Sequence, residues 1–169
     1  MPAPAVVLIG APGAGKSSVA TVLGERTGLA VRDTDADVER TARRSVSDVF
    51  TELGEGEFRR LEREAVAAAL AEHSGILALG GGAVLDPGTR ELLRGHTVVF
   101  LAVSMPIGVR RTGLSTARPL LTGVNPRATF KALLDARLPL YREVATVEID
   151  TDELTVEQVA QVIIAEVGL

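Results

Sequence analysis

The sequence predicts an α/β protein: a three-layer fold with a five-stranded parallel sheet and helices on both faces. Three observations carry this. Strand and helix signals alternate along the whole chain, with no internal repeat and no low-complexity linker. Short apolar runs pass into glycine or acidic turns before each helical pattern resumes. The stretch Gly10-Ala11-Pro12-Gly13-Ala14-Gly15-Lys16-Ser17 matches the phosphate-binding loop G-x-x-x-x-G-K-[ST] at every fixed position, between a strand pattern and a helix pattern.

In order, residues 5–9 are apolar and rich in β-branched side chains, as in a strand buried on both faces. Residues 18–26 carry Val19, Ala20, Val22 and Leu23 at helical positions, and Thr27-Gly28 stops that helix. A short strand over 29–32 runs into Asp33-Thr34-Asp35, and a helix of mixed charge follows over 36–43. Ser45 caps a further short helix reaching Phe50. The longest helix spans 54–73, where Phe58, Leu61, Ala65, Ala68, Ala69 and Leu70 recur at helical spacing. A strand over 76–79 ends in Gly80-Gly81-Gly82, and Asp86-Pro87 starts a helix through Leu93. A strand over 97–103, a short helix over 106–111 and an irregular stretch over 112–126 follow. Residues 127–142 form a helix that Pro139 is expected to kink or end. A strand over 145–150 and a helix over 156–167 close the chain. Right-handed crossovers then place ligands at the carboxyl ends of the strands.

A length of 169 residues suits one domain covering 1–169. Net charge −4, with one Tyr and four Phe, argues against a nucleic-acid partner. The lack of cysteine excludes disulfides and thiolate metal sites. No apolar run approaches the ~18 residues that span a bilayer, and Met-Pro-Ala-Pro is no secretory start. A cytoplasmic protein without a membrane partner is expected. Lys16 and Lys131 are the only lysines; every other cation is arginine, which makes Lys16 conspicuous where a compact point charge is wanted.

The glycine loop can aim its N–H groups at an anion, and the helix start adds unpaired donors and partial positive charge. Lys16 can reach β- and γ-phosphates, and the Ser17 hydroxyl can ligate Mg²⁺. Asp33 and Asp35 follow a strand; if its geometry persists, both point to one side with Thr34 opposite. One carboxylate can then hold Mg²⁺ through water while the other accepts the proton of an attacking hydroxyl. The strand over 76–79 ends in three glycines rather than an acid, so the metal acid must come from elsewhere and Asp33 is well placed. Gly80-Gly81-Gly82 lets backbone approach a ligand closely. Arg59 and Arg60 stand near a helix start, Arg110 and Arg111 border the irregular stretch, and Arg137 lies on the next helix. Arg118 lies within the long stretch of 112–126, which reads as a closing lid. His73, His96, Ser45 and Ser47 receive no chemistry, and Tyr141 is assigned to packing.

Taken together, these residues resemble the shikimate kinase family, small members of the nucleoside monophosphate kinase-like P-loop fold. The resemblance covers nearly the whole chain. It rests on Gly10 to Ser17, Asp33-Thr34-Asp35, Ser45 to Phe50 with Gly54-Glu55, Phe58-Arg59-Arg60-Leu61-Glu62, Gly80-Gly81-Gly82-Ala83, Arg118-Pro119-Leu120-Leu121, and Arg137 with Tyr141-Arg142. It implies transfer of the ATP γ-phosphoryl to the 3-hydroxyl of shikimate, with Mg²⁺, in aromatic amino acid (chorismate) biosynthesis. Gly13, Ala14, Gly15, Lys16, Ser17 and Ser18 would hold the nucleotide phosphates, and Arg111 would lie against adenine. Ser17 and Asp33 would serve Mg²⁺, with Asp35 as base and shikimate ligand. Arg59 and Arg137 would grip the shikimate carboxylate, backbone of Gly80, Gly81 and Gly82 would touch the substrate, and Arg118 would neutralise the transferring group. A substrate-binding helical region over about 35–62 and a monomeric state are expected. Two departures stand out. The loop over 151–155 lacks a proline common in the family, and Arg43 stands where glycine is common. Two other readings stay open at this level: another small-molecule kinase of the same fold (gluconate kinase-like), and a non-enzymatic nucleotide-binding module. The Asp33/Asp35, Arg59 and Arg137 set suits a polyhydroxy carboxylate.

Overall fold

The computed structural model describes residues 2–112 and 126–169. Five strands, β1 (Val6–Ile9), β2 (Val31–Asp33), β3 (Ile76–Ala78), β4 (Val98–Ala102) and β5 (Val147–Asp150), form one parallel sheet in the order β2-β3-β1-β4-β5. The helices between them are α1 (Lys16–Thr27), α2 (Thr34–Ala42), α3 (Val46–Glu72), α4 (Pro87–Leu92), α5 (Met105–Thr112), α6 (Pro126–Val144) and α7 (Val156–Val167). One three-residue 3₁₀ turn, Ala83–Leu85, follows the triple glycine.

The sequence pattern explains the layering. β1 is buried at all four positions because β3 and β4 pair with it on both sides, Val7 standing opposite Leu77 and Val98. Burial on both faces suits the unbroken apolar run better than an alternating one would. The chain moves outward from β1 to β2 and later crosses back to β4, so the order of strands reverses beside β1. Such a switch point opens a crevice at the carboxyl ends of the strands, and the phosphate-loop sequence follows β1 at that place.

α2 and α3 also enclose a small apolar cluster of their own, Val38, Val49 and Phe58, apart from the main core. The short helix after Ser45 and the long helix beyond it are the two parts of α3. Gly54 separates them at φ 86° and ψ 165°, a conformation that a side chain disfavours. Ser45 caps the first part by accepting from the Asp48 N–H at 3.1 Å.

Of the two outcomes expected of Pro139, ending the helix does not occur. α6 runs through it from Pro126 to Val144 without ending. Proline forfeits the bond its N–H would have given one turn back, a cost of ~3 kcal/mol or more. Tertiary packing holds the helix on both sides of that gap. Phe130 and Tyr141 are fully buried, and the Tyr141 ring stacks on Phe100 of β4 with centroids 4.8 Å apart. Among the described residues, no helix is long and apolar enough to cross a membrane.

Candidate active site

A cleft of about 550 Å³ opens along the carboxyl ends of β1, β2 and β3. One wall is the phosphate loop. Gly15 enters α1 at φ 90°, and Lys16 is the first residue of that helix. The Lys16 Nζ donates to the carbonyls of Gly10 at 2.6 Å and Ala11 at 3.2 Å, folding the lysine back across its own loop. Gly13, Ala14, Gly15, Lys16, Ser17 and Ser18 all line the cleft. Arg111 closes this wall: its Nη1 donates to the Thr151 hydroxyl at 3.0 Å and the Gly13 carbonyl at 3.3 Å, and its Nη2 to the Thr151 carbonyl at 2.9 Å. The loop after β5, where proline is missing, thus meets the phosphate loop through one arginine.

Asp33 and Asp35 both face this cleft, but not by strand alternation as expected. Asp33 is the cap of α2, and its Oδ1 accepts from the Asp35 N–H at 2.8 Å. The helix begins at Thr34, two residues before the expected start, because a carboxylate in the cap position satisfies a free helix donor. Asp35 therefore projects from the first helical turn, and Thr34 is fully buried between the two.

The third wall is the glycine loop after β3. Gly80 and Gly81 line the cleft; Gly82, Arg59 and Arg137 stand beyond them. The reason for three glycines is spatial. A Cβ on Gly80 would lie 2.6 Å from Asp35 Oδ1 and 2.8 Å from Glu62 Oε2. A Cβ on Gly82 would collide with the Arg59 guanidinium. Polar side chains from α2 and α3 occupy the volume beside Gly80 and Gly82, and Pro12 of the phosphate loop crowds Gly81.

Arg59 donates to Glu62 Oε1 at 2.7 Å, and its guanidinium lies over the rings of Phe58 at 5.0 Å and Phe50 at 5.6 Å. Glu62 is 1% exposed, and its Oε2 has no hydrogen-bond partner. Burial drives its carboxyl up to about 7 against the pull of Arg59; Asp35 pushes the same way as burial, and Arg137 opposes. Arg137 is itself buried, 5% exposed. The Tyr141 hydroxyl donates to the Gly81 carbonyl. Two guanidinium groups, one buried and one half-buried, beside a loop that exposes backbone make a seat for a small anion.

Glu62 and Tyr141 had no role on sequence grounds. Their signals were spacing alone, Glu62 three residues after Arg59 and Tyr141 four after Arg137, each one helical turn away. Arg118 and the expected lid over 112–126 lie, but for the two ends, outside the described residues. His73 is structural, its Nε2 3.0 Å from the carbonyls of Ala30 and Ile76.

A parallel sheet of this order, with a phosphate loop after its central strand and a cleft shared with an acidic helix start, defines a nucleoside monophosphate kinase-like P-loop protein. The model of the shikimate kinase family matches residues 12–168. A shikimate kinase of Saccharopolyspora erythraea is 64% identical over 149 residues, 88% of this chain and 85% of its own. One of Thermobifida fusca is 55% identical over 163 residues, 96% of this chain and 94% of its own. The solved structure of shikimate kinase from Acinetobacter baumannii in complex with shikimate is similar, with a TM-score of 0.93 and 33% identity; the match covers 99% of this chain and 93% of that one. The chain belongs to the shikimate kinase family.

Proposed function

We propose that this chain transfers the γ-phosphoryl of ATP to the 3-hydroxyl of shikimate, giving shikimate 3-phosphate and ADP in aromatic amino acid biosynthesis, as a cytoplasmic monomer. One observation carries the reading at the level of the site: two arginines, the buried Arg137 and the half-buried Arg59, stand beyond a glycine loop at the end of a cleft whose other wall is a phosphate loop. That arrangement suits one substrate bearing phosphates and another bearing a carboxylate.

The roles follow from placement. The loop N–H groups from Gly13 to Ser18 and the start of α1 hold the phosphates. Lys16, now on two loop carbonyls, exchanges them for β- and γ-oxygens. Arg111 and Thr151 border the nucleotide, and Arg118 supplies a further cation by family resemblance. Arg59 and Arg137 take the shikimate carboxylate, each able to donate two parallel hydrogen bonds. Asp35 orients the 3-hydroxyl and accepts its proton. That oxygen forms the new bond to the γ-phosphorus, while the bond from phosphorus to the β-bridging oxygen breaks and leaves with ADP. Most of the rate comes from alignment and charge neutralisation.

Ser17 and Asp33 fit Mg²⁺. One hydroxyl and one carboxylate on the cleft wall are the sparse donor set of an ion that keeps phosphate and water as its other ligands. When bound, Mg²⁺ offsets phosphate charge; Asp33 would hold it through water with the oxygen that does not cap α2.

The test is ADP release with ATP and Mg²⁺, comparing shikimate, gluconate and AMP as acceptors. Turnover with shikimate alone is expected. Turnover with gluconate or AMP instead would overturn the roles of Arg59 and Arg137, and none with any acceptor would leave a binding module.

A further inference from the structure

Tyr141 is the chain's only tyrosine, and no step above uses it. It is 1% exposed, and its ring stacks on Phe100 at an interplanar angle of 24°. A buried phenol needs a partner for its O–H. The partner here is the carbonyl of Gly81, 60 positions away and in the middle of the glycine loop. Arg137, one helical turn before Tyr141 on α6, faces the same phenol oxygen, and the charges of Arg59 and Glu62 act on it as well.

This contact matters because of what the loop lacks. Gly80, Gly81 and Gly82 have no side chains with which to fix their peptide planes, and glycine backbone is the freest to rotate. The loop nevertheless has to present its backbone in one orientation beside a charged clamp. We propose that Tyr141 is a positioning residue for the acceptor: its hydroxyl sets the direction of the Gly81 carbonyl and holds the Arg137 guanidinium beside it, so that loop and clamp meet the carboxylate substrate as one preformed unit. The stack on Phe100 ties that unit to β4, next to the strand that carries the phosphate loop. Burial pushes the phenol up to about 12, so the group remains a donor throughout the neutral range. The inference rests on Arg137 being a ligand of shikimate.

Tyr141→Phe keeps the ring and its stack and removes only the hydroxyl, leaving the Gly81 carbonyl unpartnered. The expected result is a KM for shikimate raised about 5- to 20-fold, the scale of one lost buried hydrogen bond, with kcat and the KM for ATP within about twofold. A role in packing alone would not separate the two substrates. A KM for shikimate within twofold of wild type, or one rising in step with that for ATP, overturns the proposal. Because Tyr141 stands alone, growth on 3-fluorotyrosine places a single ¹⁹F label at the site. Its resonance is expected to shift when shikimate is added without nucleotide. An unmoved resonance at shikimate well above KM overturns the proposal even if the Phe variant fails to fold. If the wild-type protein turns over no shikimate at all, the functional reading fails instead, a result distinct from an active enzyme indifferent to the hydroxyl.

Discussion

The two ends of the cleft are built in opposite ways. The phosphate end is one run of chain from Gly10 to Ser17, made chiefly of backbone, and its lysine bonds reach only five and six positions. The acceptor end is assembled from α2, α3, α6 and the loop after β3, and its groups are charges that are half-buried (Asp35, Arg59) or buried (Glu62, Arg137). Lys16 is half-buried and Ser17 exposed, whereas Glu62 and Arg137 are almost wholly enclosed. A local backbone cradle needs little to preorganise it. A cluster of enclosed charges has to offset desolvation by mutual pairing, and here it does so incompletely, since Glu62 Oε2 has no hydrogen-bond partner and Arg59 Nε has only the longer ion pair with Glu55 at 3.7 Å. The acceptor end is therefore where strain on charge is stored and where pH acts.

The sharpest way to break this contrast is Lys16→Ala. It removes a cation from the transferring phosphates and leaves the acceptor clamp intact. The expected fall in kcat is about 10²- to 10³-fold, the scale of losing one group that stabilises transition-state charge. The KM for shikimate should stay near wild type in the same coupled assay. A kcat close to wild type would show that the chemistry lies elsewhere.

Glu62→Gln tests the claim about stored charge. Glu62 sits at about 7 in the folded protein against an ordinary 4.5. Between those values the folded state holds a proton that the unfolded state has released, so stability falls as pH rises from 4.5 to 7. The loss attributable to this group is about 3 kcal/mol at most. Urea unfolding at pH 5 and pH 8 should show the wild type losing more stability over that interval than the Gln variant, which has nothing there to titrate. Parallel losses would mean that Glu62 is not held protonated by burial.

Arg137→Ala is the counterpart of Lys16→Ala at the other end. One buried charged donor pair is lost, so the KM for shikimate should rise about 10- to 100-fold while the KM for ATP holds. An effect concentrated on ATP would show the two ends to be wrongly assigned.

These contrasts also explain what could be read from the chain alone. The strand, glycine loop and helix at the phosphate end were legible because pattern and function coincide within a dozen residues. The break at Gly54 was legible as two separate helices, with Ser45 starting the first. The acceptor end was legible only as a list of residues carried by resemblance. Arg59 with Glu62 looks in sequence like its neighbour Arg60 with Glu57 and Glu64, and those are exposed pairs. Only the glycine loop packed over the first pair turns a routine helical ion pair into a largely enclosed clamp. Asp33 and Asp35 reach the cleft as expected but by another route, for a related reason: a carboxylate at the end of a strand can continue the alternation or cap the next helix, and the cap won. Pro139 failed as a stop because the buried Phe130 and Tyr141 outweigh the one backbone bond it removes.

The smallest effect separates strain that serves the acceptor end from strain that merely joins its helices. Arg43, at φ 55° and ψ 36° between α2 and α3, has the only positive φ of a non-glycine residue among the described residues. A left-handed conformation costs a side-chain-bearing residue roughly 1–2 kcal/mol, part of which glycine returns as extra freedom in the unfolded chain. Arg43→Gly should therefore stabilise the protein by about 0.5–1 kcal/mol, a rise in Tm of about 1–4 °C at this size. Both KM values should be unchanged, because the turn links the helices that carry Asp35 and Arg59 without setting where those side chains point. If thermal unfolding shows no gain, the strain is relieved by contacts of the arginine itself. If the KM for shikimate moves, the turn is part of the acceptor geometry, and the line between the clamp and its support has to be drawn further out.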